Sequence, residues 1–305
     1  MVATAGPASG PVAGMPVAGM TAPEATGSPT VLRMVLGSYL RKLREARRIS
    51  LEEAGDVIRG SASKISRLET GRVAFKDRDI VDLLAFYGVT DEKERQAVRE
   101  IAVKANSPGW WHNYADVLPS WFDAYVGLEE SASDVRAYEV QFVPGLLQTE
   151  DYARAVIMLG YSNPKEISRR VTLRMARQAV LDRPDPPSLH AVLDEALLRR
   201  SIGGSRAMRG QVRHLIELAR RPHVTVQVMP FRAGGHAAAG GSFSLLSFAG
   251  HSLPDVVYLE QLTSAQYHDK PDVVAEYRAV MELLCAEALT PGDSVMLLKS
   301  LLRDA

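Results

Sequence analysis

Between Ser50 and Gly71 the chain writes two helices, each too short to persist alone, with a break of only a few residues between them. No other feature constrains the fold as tightly. Ser50 is followed three residues later by Glu53, the spacing of a reciprocal N-terminal cap, which opens a helix from Leu51 to about Ile58. Arg59-Gly60 interrupts it. Ser61 is placed to cap a further helix running to about Glu69, and Gly71 offers the left-handed position that stops one. On that helix Ile65 and Leu68 share a side, positioned to pack on Leu51, Ala54 and Ile58, while Ser63, Ser66, Arg67 and Thr70 fall opposite. Two short helices about a tight glycine-containing turn make a helix-turn-helix, and a short, polar, basic outer face suits a major groove about 12 Å wide.

The flanking pattern extends this module to five helices. Val31, Val35, Leu36, Tyr39, Leu40 and Leu43 recur at three and four residues, the stripe of an amphipathic helix whose other face carries Arg41, Lys42, Arg44, Arg47 and Arg48. Asp79 to Tyr87 predicts a fourth helix, with Ile80, Leu83, Leu84 and Tyr87 inward, and Asp91 to about Lys104 a fifth. A net charge of zero argues by itself against a nucleic-acid partner, but the charge is unevenly placed. Residues 31 to 76 carry eleven Lys and Arg against five Asp and Glu, whereas residues 107 to 305 carry twenty against twenty-three. Only the first segment is built to approach phosphate.

The run Ser61-Ala62-Ser63-Lys64-Ile65-Ser66-Arg67-Leu68-Glu69-Thr70-Gly71 resembles the recognition helix of the Cro/C1 family, also called the xenobiotic-response-element family, and the resemblance spans roughly residues 36 to 89. It implies a sequence-specific regulator that binds double-stranded DNA, and because few side chains could read bases in one half-site, a homodimer on a pseudo-palindrome is expected. It places Ala62, Ser63 and Arg67 where the family reads base edges. Ser61, Thr70 and Arg72 fall where the family commonly meets the sugar-phosphate backbone, and Arg44 and Glu69 match a buried ion pair; Lys64, and Lys76 in the following loop, are further phosphate candidates by their charge. The sequence departs from the family at Gly55, where alanine is usual, at Arg59, which displaces the usual turn glycine, and at Leu51, which replaces a frequent glutamine.

Asn106-Ser107-Pro108-Gly109 marks a boundary by its turn chemistry. An aromatic cluster follows that reads first as packing of one domain on another, with Trp110, Trp111, Tyr114 and Trp121 as the candidate partner or ligand surface on the functional reading. Helices are expected over 120 to 135, 149 to 160, 164 to 182, 205 to 220, 271 to 287 and 291 to 302. Extended segments are expected at His190 to Leu193, Val224 to Met229, Ser242 to Phe248 and Val256 to Leu259. The expected fold is therefore an all-α helix-turn-helix domain at 31–106, followed at 107–305 by an α+β domain with a small, mostly antiparallel sheet.

The string Val143-Pro144-Gly145-Leu146-Leu147-Gln148-Thr149-Glu150-Asp151-Tyr152-Ala153-Arg154-Ala155, with Gly109-Trp110-Trp111 before it and Asp255-Val256-Val257-Tyr258-Leu259-Glu260 after it, resembles the C-terminal, antitoxin-like domain of a group of actinobacterial regulators. That resemblance implies a small partner protein encoded nearby. Two roles stand beside each other on it: a regulator sensing a small protein or ligand, and a protein that chiefly sequesters a small cognate protein and binds DNA to regulate itself.

Other classes find little support. Seven scattered histidines show no metal-binding spacing, and neither a nucleophile elbow nor a phosphate-binding loop occurs, so no enzyme, metal or cofactor is expected. No apolar run approaches the ~20 residues of a membrane span. Residues 1–30 contain no Lys or Arg and repeat Pro-Val-Ala-Gly-Met, which reads as a low-complexity, disordered arm rather than a secretory signal, with the true start codon open. A cytoplasmic location is the expectation. The single cysteine, Cys285, reads as a small buried hydrophobe.

Overall fold

A computed structural model describes residues 27–250 and 253–304. Most of the N-terminal arm and His251 lie outside the described residues. The chain divides into two units that meet in sequence at Ser107 and Pro108.

The N-terminal unit consists of α1 (Pro29–Ala46), α2 (Leu51–Val57), α3 (Ala62–Glu69), α4 (Asp77–Phe86) and α5 (Glu92–Ala105). Helix α1 begins two residues before its apolar stripe, because the Ser28 hydroxyl accepts from the Val31 amide and Pro29 is preorganised for a first helical position. Residues 29 and 30 therefore belong to the helix and not to the arm. Leu36, Leu40, Leu43, Ala54, Ile58, Ile65, Leu68, Ile80, Leu83 and Tyr87 form one core with Leu51 at its edge. Full burial of each large side chain stabilises by roughly 1.5–3 kcal/mol, which is what holds helices as short as α2 and α3 in place. The side chain of Asn106 joins the C-terminal end of α5 to the segment before α4, accepting from the Phe75 amide at 2.9 Å and donating to the Phe75 carbonyl at 2.6 Å.

Both departures around the turn have a structural account. Arg59, not Gly60, takes the left-handed conformation, with φ 50°, at a cost of about 1–2 kcal/mol for a residue bearing a Cβ. Gly55 packs against the start of α3 so closely that a Cβ there would lie 2.9 Å from the Ser61 carbonyl carbon and 3.1 Å from the Ala62 nitrogen. An alanine at 55 would press the two helices apart.

In the C-terminal unit, a 3-10 turn (Trp110–Tyr114) and α6 (Ser120–Ser131) precede β1 (Asp134–Glu139). There follow α7 (Glu150–Ile157), α8 (Pro164–Arg177), β2 (Ser188–Asp194), α9 (Glu195–Arg199), α10 (Gly204–Leu218) and β3 (Val224–Met229). The unit closes with β4 (Phe243–Ser247), β5 (Val256–Glu260), β6 (Ala265–His268), α11 (Pro271–Glu287) and α12 (Pro291–Asp304). The α+β expectation is met by one six-stranded mixed sheet of order β3-β2-β1-β4-β5-β6, with the β1–β2 and β2–β3 pairs parallel and the other three antiparallel.

Strand β1, at the middle of the sheet, corrects the expectation of a helix running from 120 to 135. Asp134, Arg136 and Glu139 make the segment resemble a continued amphipathic helix. Ala132 instead turns extended, and β1 satisfies its backbone groups on both sides, against β2 and β4. Tyr138 joins a core with Val192, Leu245, Val257 and the α11 residues Val274, Met281 and Leu284. The alternate residues Val135, Ala137 and Glu139 point to the other face, toward α6 and α8. Among the described residues, no helix is long and apolar enough to cross a membrane.

Candidate functional site

Helix α3 is held from three sides. The Ser50–Glu53 capping box fixes the start of α2, the Glu53 amide donating to Ser50 Oγ at 3.1 Å and the Ser50 amide to Glu53 Oε2 at 2.7 Å. Ser61 Oγ accepts from the Lys64 amide at 3.2 Å, and Gly71, at φ 67°, ends the helix. From α1, Arg44 grips Glu69 through two hydrogen bonds, Nε to Oε1 at 2.6 Å and Nη2 to Oε2 at 2.9 Å, and donates Nη1 to the Ile49 carbonyl at 2.8 Å. The Arg44 and Glu69 side chains are 10% and 5% exposed. All the strong polar demands of this buried pair are thus met inside the unit.

This bracing presents Ser63, Ser66 and Arg67 to solvent along one face of α3, with Ala62 half-buried beside them. Arg67 lies back along its own helix, its Nε donating to the Ser63 carbonyl at 3.3 Å. The phosphate candidates separate into two groups. Ser61, Arg72 and Lys76 are exposed; Ser61 Oγ is used only as an acceptor, and no ion pair engages Arg72 or Lys76 among the described residues. Lys64 is different: its Nζ is bound to Asp79 Oδ2 of α4 at 2.5 Å, and Asp79 is buried. Leaving that carboxylate for a phosphate would strand a buried acid, so Lys64 braces α3 against α4. Thr70 likewise spends its hydroxyl proton on the Ser66 carbonyl at 2.8 Å, which leaves it no donor for a phosphate in this conformation.

Trp111 is fully buried within the C-terminal unit, its Nε1 donating to Asp123 at 2.6 Å and its ring packed on Val126 and Leu173. It supports a surface and cannot be one. Trp110, Tyr114 and Trp121 are half-buried.

A cavity of about 540 Å³ lies between the Val135–Ala137–Glu139 face of β1 and helices α6 and α8. The loop before α7, the Val143–Gln148 part of the sequence motif, forms one wall. Its shape is fixed by amide side chains: Gln148 Nε2 donates to the Val143 carbonyl at 2.6 Å, Gln178 Nε2 to the carbonyls of Gly145 and Gln148, and Gln211 Nε2 to the Leu147 carbonyl. Phe122, Tyr125 and Tyr258 line it with rings, Tyr125 and Tyr258 lying 4.2 Å apart between centroids. Arg177 and Glu129 form a second buried bidentate pair, both contacts at 2.8 Å. Arg174 donates Nη1 to Gln148 Oε1 at 2.9 Å. Phe122 and Tyr125 belong to the aromatic cluster seen in the sequence and Tyr258 to the second motif string, whereas Arg174 and Glu139 escaped notice, because no spacing joins them to those rings.

Burial pushes the Glu139 carboxyl up to about 7, helped by the Glu260 charge and opposed by a hydrogen bond from Ser242. Unfolded, the group releases its proton near the ordinary 4.5. Its contribution to stability is therefore complete below 4.5 and is lost as the pH rises through about 7. The difference in melting temperature between pH 5 and pH 8 is expected to shrink in Glu139→Gln, with the wild type losing more on the alkaline side. An unchanged difference would show that Glu139 is ionised in the folded protein throughout.

Among the described residues, no group of three or more histidine, cysteine or acidic side chains could hold a metal ion. Cys285 is half-buried against the α11 core, its Sγ 3.6 Å from His190 Nε2, and burial pushes its thiol up. That is the setting of an unreactive thiol.

Compared with known families, residues 35–98 match the model of a helix-turn-helix domain, the module of DNA-binding regulators. Residues 122–300 match that of a domain of unknown function, DUF5753. No curated protein and no solved structure matches the chain.

Proposed function

The chain belongs to the DUF5753 family, and we propose that it is a sequence-specific transcription regulator of Cro/C1 type that binds operator DNA as a dimer and senses a small ligand through its C-terminal domain. The observation that carries the DNA half is the outer face of α3: exposed Ser63, Ser66 and Arg67 on a helix locked by the Arg44–Glu69 pair. Of its candidate base readers, only Arg67 has the fork that pairs with both acceptors of guanine, a contact worth ~1–3 kcal/mol of discrimination. Ser63 bonds to several bases and Ala62 touches only a thymine methyl. So few contacts per half-site favour two copies on a pseudo-palindrome, their recognition helices about one DNA turn apart.

The test is a salt-titrated binding measurement of the full-length protein on its own upstream region and on a random duplex. Preference for the upstream region, with an affinity falling by about 0.9 log units per phosphate contact for each tenfold rise in salt, is the expected result. Arg67→Ala is expected to lose ~5- to 150-fold on the specific site, equivalent to ~1–3 kcal/mol, and little on random DNA. Arg72→Ala is expected to weaken both alike and to flatten the salt slope by about one contact. Equal losses on both duplexes for Arg67→Ala would remove the base-reading assignment. The sensing half is supported by the cavity of about 540 Å³, whose volume suits a metabolite-sized molecule.

A further inference from the structure

We propose that the cavity of the C-terminal unit is a receptor site for a small organic acid, a carboxylate on an aromatic or aliphatic body, with the acid group seated on the Arg174 guanidinium. This rests on the reading of the C-terminal domain as a ligand sensor and names the class of ligand.

Charge is unequally paired along this face of α8. Two arginines of α8 line the cavity, one turn apart. Arg177 is neutralised by Glu129 through two hydrogen bonds of 2.8 Å. Arg174 has only the neutral Gln148 oxygen at 2.9 Å, and no carboxylate among the described residues lies within 4.0 Å of it. A guanidinium carries five N–H donors in a planar fork that matches a carboxylate. Removing such a group from water without an acid partner is costly, and burial here pulls the Arg174 guanidinium down to about 10. It remains cationic at neutral pH.

The remaining acids do not supply the missing partner. Glu129 is committed to Arg177. Glu139 is held protonated up to about pH 7. Glu260 lines the cavity's exposed side, accepts from the Tyr258 hydroxyl at 3.0 Å, and its charge acts on Arg174 only from beyond 4.0 Å. Inside the cavity Arg174 is thus the guanidinium with no carboxylate in ion-pair contact, among walls supplied by Phe122, Tyr125, Phe142 and Tyr258. An anion with an apolar body complements both. A dication or a sugar would leave Arg174 unanswered and would meet rings where it needs hydrogen bonds.

All three tryptophans, Trp110, Trp111 and Trp121, belong to the C-terminal unit, so thermal unfolding followed by tryptophan emission reports that unit within the full-length protein. The probes are 3-phenylpropionate and octanoate, each beside its primary amide, in the absence of DNA. At a hundredfold excess over the dissociation constant, an acid that binds is expected to raise the transition by roughly 5–10 °C. The amides are expected to raise it far less. Arg174→Gln, which preserves a hydrogen-bonding partner for Gln148, is expected to abolish the acid's shift.

Equal shifts by acid and amide would overturn the proposal, as would an acid shift that survives Arg174→Gln, or no shift from either acid up to 10 mM. The acid–amide comparison needs no variant, so it stands even where Arg174→Gln folds poorly. Because DNA is absent, a negative result here leaves the regulator reading to its own binding assay.

Discussion

Glu69→Ala is expected to destabilise the N-terminal unit by about 3–5 kcal/mol, because it leaves the Arg44 guanidinium buried without its acid. The two hydrogen bonds at 2.6 and 2.9 Å disappear together, leaving the Ile49 carbonyl and a longer contact of 3.7 Å to the half-exposed Glu45 carboxylate. Arg44→Met combined with Glu69→Leu is expected to recover most of that stability, since replacing both partners by apolar groups of similar volume removes the desolvation cost along with the attraction. DNA binding separates the two roles of the pair. The double variant, though stable, is expected to bind more weakly than the wild type if the pair sets the orientation of α3. Recovery of stability and full DNA affinity together would reduce the pair to an ordinary packing contact. Thermal unfolding and the salt-titrated binding assay are the measurements.

Gly37→Ala is expected to destabilise the same unit at or above the upper end of the ~1–3 kcal/mol usual for overpacking. Helix propensity alone predicts the opposite, a gain of up to about 1 kcal/mol, since Gly37 lies inside α1. The structure decides the sign. A Cβ at 37 would stand 2.5 Å from the Leu68 carbonyl oxygen and 2.6 Å from that of Glu69, and both are backbone atoms at the end of the recognition helix. They cannot move aside without carrying α3 with them. Gly37→Ala should therefore cost DNA affinity as well as stability, and Gly37→Ser should behave no better. A stabilised Gly37→Ala protein would mean that α1 and α3 are farther apart than these distances.

The helix-turn-helix was legible because its signals are local. A capping serine with a glutamate three residues on, a break, a second capping serine and a stopping glycine each act within one helical turn, and the alternation of buried and exposed residues in α3 follows from 3.6 residues per turn. What each basic side chain does was not legible. Lys64 and Arg67 lie three residues apart on the same short helix, yet Lys64 is claimed by Asp79 of α4 while Arg67 stays exposed. Thr70 looks like a donor in the sequence and has given its proton to Ser66. Such differences depend on neighbours distant in the chain.

The C-terminal unit shows the same division at larger scale. Val224–Met229 announces itself as a strand by composition. The central strand β1 does not, because Asp134, Arg136 and Glu139 carry charges that water would accept equally well on a helix. It becomes a strand because β2 and β4 offer partners on both sides. Likewise the motif around Val143–Gln148 stands out in the sequence, but only the fold shows that it walls a cavity containing Arg174 and Glu139. The helix-turn-helix, its basic character and the α+β class could be read from the residues alone, since these rest on interactions within a few residues. The tertiary structure alone decided the sheet's order, the pairing of each buried charge and the cavity, since these depend on which distant groups exclude water together.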